Sequence, residues 1–437
     1  MNARRIAWSI VGLLLLSLSA AASEPVQILV PSDAVSGYGQ GFGQSVAISG
    51  DWLVVGAPED DERAEDAGAA YIFRRVGAQW IEHQKITGYA LREDYYGRAV
   101  AIDGDRIVVG APHDVFMTGG IGKAFIYHRD DYGVPGPSVD DWWSTAAQLH
   151  PPPSQLCCNF GGSLAIDGDV VVVGSIDYGY SLGHAYVFRW DGTEWRGPET
   201  LVGSDTEAGD QFGASVAVRG SLIAVGASWD DHLGTLAGSA YVFAHKGGAW
   251  TQEAKLFASD AQPHDFFGSA VTVGPEFVGI GSPNNRHEGG TRGAAYIFVL
   301  KEKSWVHTAK LFPSTHTGST GVGISIANDD SRLIVAASEI VQGFVFQLTD
   351  DEWAEVDQLP GPGGYIHPGV AIASRFALVG NYVYPCGDTF SLSDYAAFQN
   401  CVSSAPASPP CQKFDFESDN QIDRRDLPLF LLTFRGP

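Results

Sequence analysis

The chain has 437 residues, 45% of them hydrophobic and 11% aromatic, with 53 glycines. Its 27 Lys and Arg face 51 Asp and Glu, a formal net charge of −24, which repels phosphate backbones and anionic lipid and argues against nucleic acid or a membrane surface as partner. Abundant glycine and aromatics suit turn-rich β-structure and argue against a disordered acidic chain, which would lack the aromatics.

The first residues read as an address. Arg4 and Arg5 precede an apolar run over 6–16 and an Ala- and Ser-rich exit, the order of a secretory signal over 1–22 with cleavage after Ala22. No later stretch is long and apolar enough for a transmembrane helix. The expected location is therefore secreted, periplasmic or cell-surface.

From residue 26 a unit repeats. Phe42-Gly43, Tyr96-Gly97, Phe160-Gly161, Phe212-Gly213 and Phe267-Gly268 recur, followed by a weaker Val322-Gly323, at spacings of 54, 64, 52, 55 and 55 residues. Thirteen residues after each glycine comes a second marker, from Gly56-Ala57-Pro58 and Gly110-Ala111-Pro112 to Gly281-Ser282-Pro283 and Ala336-Ala337-Ser338. A third marker is Gly68-Ala69-Ala70-Tyr71-Ile72-Phe73 and its relatives; beyond it lie Trp80, Trp143, Trp195, Trp250, Trp305 and Trp353, each followed six residues later by an aliphatic. Each unit predicts four short strands. The first two join across Gly50-Asp51 or its equivalents, where glycine suits a tight hairpin; the third carries the Tyr-x-Phe marker and the fourth runs from the Trp to the aliphatic. Four antiparallel strands in roughly 50 residues make one propeller blade. The aromatics and tryptophans are expected to pack between blades.

Both ends bear on closure. Val26-Gln27-Ile28-Leu29 resembles the close of a unit with no blade of its own, and Gly369-Val370-Ala371-Ile372-Ala373 with Phe376-Ala377-Leu378-Val379-Gly380 restarts one. The N-terminal strand is expected to complete the last unit and remove an exposed edge. This gives an all-β, seven-bladed propeller over 26–384, with six blades plus a remnant as the alternative.

The three markers resemble the FG-GAP repeat family, whose blades also occur in integrin α-subunit propellers. The resemblance implies adhesion or ligand binding rather than catalysis. Integrin-type blades carry calcium loops between the first two strands; here that link is only Gly50-Asp51 or Asp103-Gly104-Asp105, too short to wrap a cation in six to eight oxygens.

Acidic loops follow the Gly-Ala-Pro positions: Glu59-Asp60-Asp61, Asp114, Asp177 and Trp229-Asp230-Asp231-His232. In a ring they converge on one rim, where Asp60, Asp61, Asp114, Asp177, Asp230 and Asp231 are candidates to hold cations or sugar hydroxyls and Trp229 to stack on a ring; solvated turns that keep the chain soluble are the plainer alternative. No zinc-protease, serine-hydrolase or phosphate-loop motif occurs.

Composition changes after Cys386. Asp415, Glu417, Asp419, Asp423 and Asp426 occupy positions 1, 3, 5, 9 and 12 of a twelve-residue loop, with Gln421 offering its carbonyl at position 7, an EF-hand ligand pattern for Ca2+. The loop and the apolar stretch after it resemble a dockerin-type repeat, so 386–437 is expected to be a small helical calcium module, with a cohesin-like or other cell-surface partner implied. Among five cysteines, Cys401 and Cys411 flank a Pro-rich loop and form the preferred disulfide; Cys386 is free or replaces one of them, and the adjacent Cys157 and Cys158 are expected as thiols. The combined expectation is an exported, non-catalytic propeller that binds a protein or polysaccharide at its rim. A polysaccharide-degrading propeller, or part of such an assembly, is the alternative.

Overall fold

The computed structural model describes residues 25–33, 40–88, 91–112, 121–130, 141–153, 159–176, 182–286, 292–314, 319–338, 341–361, 368–373 and 376–385. They form strands joined by turns, with no α-helix among them. The first blade is β2 (Ser45–Ser49), β3 (Trp52–Ala57), β4 (Ala69–Val76) and β5 (Gln79–Ile86). The second is β6 (Val100–Asp103), β7 (Arg106–Ala111), β8 (Lys123–Asp130) and β9 (Trp142–Leu149). The third is β10 (Ser163–Asp167), β11 (Val170–Ser175), β12 (His184–Trp190) and β13 (Trp195–Leu201). The fourth is β14 (Phe212–Arg219), β15 (Leu222–Ala227), β16 (Ser239–Lys246) and β17 (Ala249–Leu256). The fifth is β18 (Ala270–Val273), β19 (Phe277–Arg286), β20 (Arg292–Lys301) and β21 (Ser304–Leu311). The sixth is β22 (Ser319–Asp329), β23 (Arg332–Ala337), β24 (Gln342–Thr349) and β25 (Glu352–Pro360).

The seventh blade holds β26 (Val370–Ala373), β27 (Phe376–Val379) and β28 (Tyr382–Pro385), and its outer strand is β1 (Gln27–Ile28) from the other end of the chain. Gln27 pairs with Val383 and Ile28 with Tyr382, so the N-terminal strand completes the last unit. The first strands of successive blades lie side by side around the ring, and β2 closes it against β26. The fold is a closed seven-bladed propeller, and the six-blade alternative falls. The helical module expected over 386–437 lies outside the described residues.

Burial explains which sequence forms which strand. Second strands such as Leu53-Val54-Val55 are buried throughout, because each is covered by a neighbouring blade on both faces and therefore reads as a continuous apolar run. Outer strands alternate instead; in β17 Trp250 and Leu256 are buried while Ala249 and Thr251 are exposed, as a half-covered strand requires.

The tryptophans lock blade to blade. Each packs toward the first residue of the second strand in the preceding blade. Trp143 meets Trp52 edge-on at 5.5 Å, Trp353 meets Phe277 at 5.2 Å and Trp80 meets Phe376 at 5.6 Å. The Arg106 guanidinium lies over Trp195, while Trp250 and Trp305 share core clusters with Val170 and Leu222. Side-chain amides pin the same residues: Gln84 bonds both the N–H and the carbonyl of Trp143, and Gln27 does so for Trp80. The closing joint is therefore built like the others.

The first two markers meet across these joints. A Cβ on Gly56 would lie 2.0 Å from the Gly97 carbonyl, and one on Gly97 would lie 2.1 Å from the Ala69 carbonyl. Only glycine admits such backbone approach. The constant thirteen-residue offset is the length of the first hairpin, whose end receives the next repeat's Phe-Gly. At the closure Gly43 is set against Gly380 and Asn381.

Candidate functional site on the loop-bearing face

First strands run from the Phe-Gly turns to the Gly-Asp hairpins, and second strands return to the Gly-Ala-Pro loops. Those loops and the links between blades therefore share one face. Asp60 and Asp230 stand on it at equivalent places, yet they are only 1% and 2% exposed. This corrects their reading as open rim ligands. One oxygen of each holds its own loop: Asp60 accepts from the Glu62 N–H at 3.0 Å, and Asp230 from the His232 N–H at 2.8 Å. The other oxygen meets a lysine from the outer strand, with Lys85 Nζ 3.0 Å from Asp60 and Lys255 Nζ 2.7 Å from Asp230. A buried carboxylate is tolerable only when paired in this way.

Each lysine also binds an aspartate delivered by the preceding link, Asp33 at 2.5 Å and Asp205 at 2.8 Å. A tyrosine on the third strand completes the group. Tyr71 donates to Asp33 or Asp60, both 2.9 Å away, and the Tyr241 hydroxyl is 2.9 Å from Asp205. The fifth blade repeats the arrangement with Lys310 on Asp260 at 2.6 Å, Asn285 in place of the loop aspartate, and Tyr296 donating to Asp260. Tyrosine and lysine face each other across the third and fourth strands in these three blades, whereas the second and sixth pair Phe125 with Gln148 and Phe344 with Gln358. The third blade keeps the tyrosine, Tyr186, but sets Thr200 opposite it in place of the lysine.

Its electrostatics follow. Burial opposes the charge on Asp33, Asp205 and Asp260, but the hydrogen bonds from lysine and tyrosine outweigh it and hold all three carboxyls below their usual range. Burial likewise opposes the ammonium of Lys85 and Lys255, and their carboxylate partners raise both nonetheless. Burial, helped by Asp205, pushes the Tyr241 phenol up to about 12. Behind the lock, Asp210 and Asp265 are raised, chiefly by burial.

The remaining candidates divide. Asp61 is exposed and accepts from the Asp66 N–H at 2.8 Å, which makes it a turn former. Asp231 is exposed, and Trp229 and Leu233 beside it are 37% and 46% exposed. His232 stacks on Phe257 with ring centroids 5.4 Å apart. Asp114 and Asp177 lie outside the described residues, as do the six calcium-loop candidates and all five cysteines. Among the described residues no group of three His, Cys, Asp or Glu is placed to hold a metal. Sequence reasoning missed the lysines, although Lys85, Lys255 and Lys310 each precede the strand-ending aliphatic and follow their link aspartates by 52, 50 and 50 residues.

Ring, blades and joints define a β-propeller. Four segments match the FG-GAP repeat, residues 24–73, 80–127, 195–243 and 250–298; the chain is a propeller that carries FG-GAP repeats. No curated protein sequence matches it. Among solved structures, hydrazine synthase of Kuenenia stuttgartiensis is similar at a TM-score of 0.53 and 10% identity, covering 82% of this chain and 99% of that one. The periplasmic gluconolactonase PpgL of Pseudomonas aeruginosa is similar at 0.50 and 14% identity, covering 71% of this chain and 85% of that one. At these identities the likeness is one of fold.

Proposed function

We propose that the chain is an exported binding propeller whose ligand, a protein or a polysaccharide, seats on the loop-bearing face beside Trp229. The observation that carries this reading is the Asp230 lock. It ties Asp205 and Asp230 to Lys255 and holds an exposed Trp229 and Leu233 on a fixed turn. A rigid, exposed tryptophan is a frequent binding hot spot and a stacking surface for sugar rings. In this reading residues 1–22 direct export. The loop from Asp415 to Asp426 binds calcium, and 386–437 attaches the propeller to a partner on a scaffold or cell surface.

Two measurements test it. Binding to a panel of polysaccharides and surface proteins is expected to weaken at least about tenfold in Trp229→Ala with the melting temperature unchanged; binding indifferent to Trp229 removes the proposed seat. Calorimetric calcium titration of the mature chain is expected to show one site, lost in an Asp415→Ala/Asp426→Ala variant. Turnover of a polysaccharide or of gluconolactone, abolished by Asp230→Asn without loss of fold, would replace the binding role with an enzymatic one.

A further inference from the structure

The fifth blade changes one member of the lock, and the change alters its chemistry. In the first and fourth blades the lysine meets a loop carboxylate, Asp60 or Asp230. In the fifth it meets an amide: Lys310 Nζ lies 2.7 Å from Asn285 Oδ1. That amide is held from its other end as well, because Asn285 Nδ2 donates to Asp265 Oδ2 at 2.7 Å. Amine, amide and acid thus form one chain of contacts. They come from β21, from the end of β19 and from the link before β18.

Three features make this more than a satisfied hydrogen bond. An ionised carboxylate resists attack by an amine, whereas a primary amide offers a neutral carbonyl carbon and can release ammonia. The contact to Oδ1 places Nζ one bond away from that carbon, the proximity that makes an intramolecular reaction fast. Asn285 and Asp265 are each 1% exposed, so water competes poorly there. Burial, the largest influence on Asp265, raises its carboxyl above the usual range and favours the protonated form that serves as a general acid. In the fourth blade the corresponding acid, Asp210, has a carboxylate for its neighbour, Asp230, and that pairing contains no amide.

We propose that Lys310 Nζ and Asn285 Cγ join in an intramolecular isopeptide bond, with Asp265 as the catalytic acid. The Lys310 ammonium gives one proton to solvent past the exposed Asp260, which lies 2.6 Å from Nζ. The neutral amine then forms the Nζ–Cγ bond. Asp265 protonates Nδ2, the Cγ–Nδ2 bond breaks and ammonia leaves, while the second proton of the attacking nitrogen returns to Asp265. Nothing is oxidised or reduced. The product staples the outer strand of the fifth blade to the loop after its second strand. It is independent of the Trp229 seat and stands or falls separately from it.

The test is peptide mapping by mass spectrometry of the purified mature chain, before and after incubation at about pH 9, where more lysine amine is neutral. An acylated Lys310 resists trypsin, so the expected product is a branched peptide joining residues 256–286 to residues 304–332, lighter than its two parts by one ammonia. Lys310→Arg keeps a cation beside Asp260 but has no attacking amine, and is expected to lose the branched peptide entirely. Asp265→Asn removes the acid and is expected to slow its appearance at least about tenfold. A cooperative melt shows that each variant folds. Linear peptides alone from the unsubstituted chain under both conditions overturn the proposal, whatever the variants do. Undiminished branching in a folded Asp265→Asn chain overturns the part given to Asp265.

Discussion

Lys255 illustrates how one side chain serves several elements at once. Its ammonium joins the outer strand of the fourth blade to the link from the third through Asp205 and to the loop after β15 through Asp230. Removing Asp230 leaves a mostly buried ammonium with one partner and frees the backbone of the Trp229 turn. Asp230→Ala is expected to cost about 3–5 kcal/mol in urea unfolding, while Asp61→Ala, an exposed turn residue, should stay within about 0.5 kcal/mol. The lock also sets a pH dependence. Asp33, Asp205 and Asp260 have depressed folded values, so their stabilisation is present above the unfolded carboxyl value of about 4 and is lost as pH falls below it. The raised lysines act in the opposite window: their contribution is full below about 10.4 and declines as pH climbs through the folded values. Asp210 and Asp265, being raised, oppose the acid loss. Melting temperature against pH should therefore drop at the acid end, and an Asp205→Asn/Asp260→Asn variant should flatten that drop.

The blade-level elements were legible because their signals are short-range. Two-residue hairpins, alternating outer strands and uniformly apolar second strands are local patterns, and the outer strands expected from each Trp to its aliphatic are found to within a residue at either end, from Gln79–Ile86 to Glu352–Pro360. The joints were only half legible. Trp143 announced itself as a packing residue, but its partner Trp52 sits in another repeat, and nothing local shows that Gly56 and Gly97 face each other. The Asp60 lock was hidden for the same reason: its lysine lies 25 residues away, and an aspartate in a loop looks alike whether it faces water or an ammonium. Trp143→Ala should cost about 3–5 kcal/mol, since Trp143 is 1% exposed and its ring fills the seam against Trp52. A Gly97→Ala substitution should be comparably severe, because the clash is with backbone at a φ of 89°.

At the scale of the whole molecule, repeat and blade are out of phase. The matched segments 80–127, 195–243 and 250–298 each begin at an outer strand and end in the third strand of the next blade. Every repeat therefore closes one blade and opens another, and β1 with β28 is the same overlap carried across the two ends. A chain beginning after residue 33 should lose cooperativity, melt at lower temperature and self-associate through the uncovered edge of β28, read by sedimentation alongside the melt.

That overlap has a consequence in time. Gln27 and Ile28 are synthesised early, and their partners Val383 and Tyr382 come near the end of the propeller. Roughly 350 residues separate them, so at about 5–20 residues per second the strand waits on the order of 20–70 seconds for its seat. During that wait Leu29 has only its first-blade neighbours, such as Leu53, Tyr71 and Trp80, and lacks Leu378 and Val383 from the last blade, while six blades can assemble and the circle stays open. Nascent chains held at any length short of residue 382 should leave this segment more open to protease than the closed ring does, because only its first-blade contacts are then in place, and full protection should arrive late.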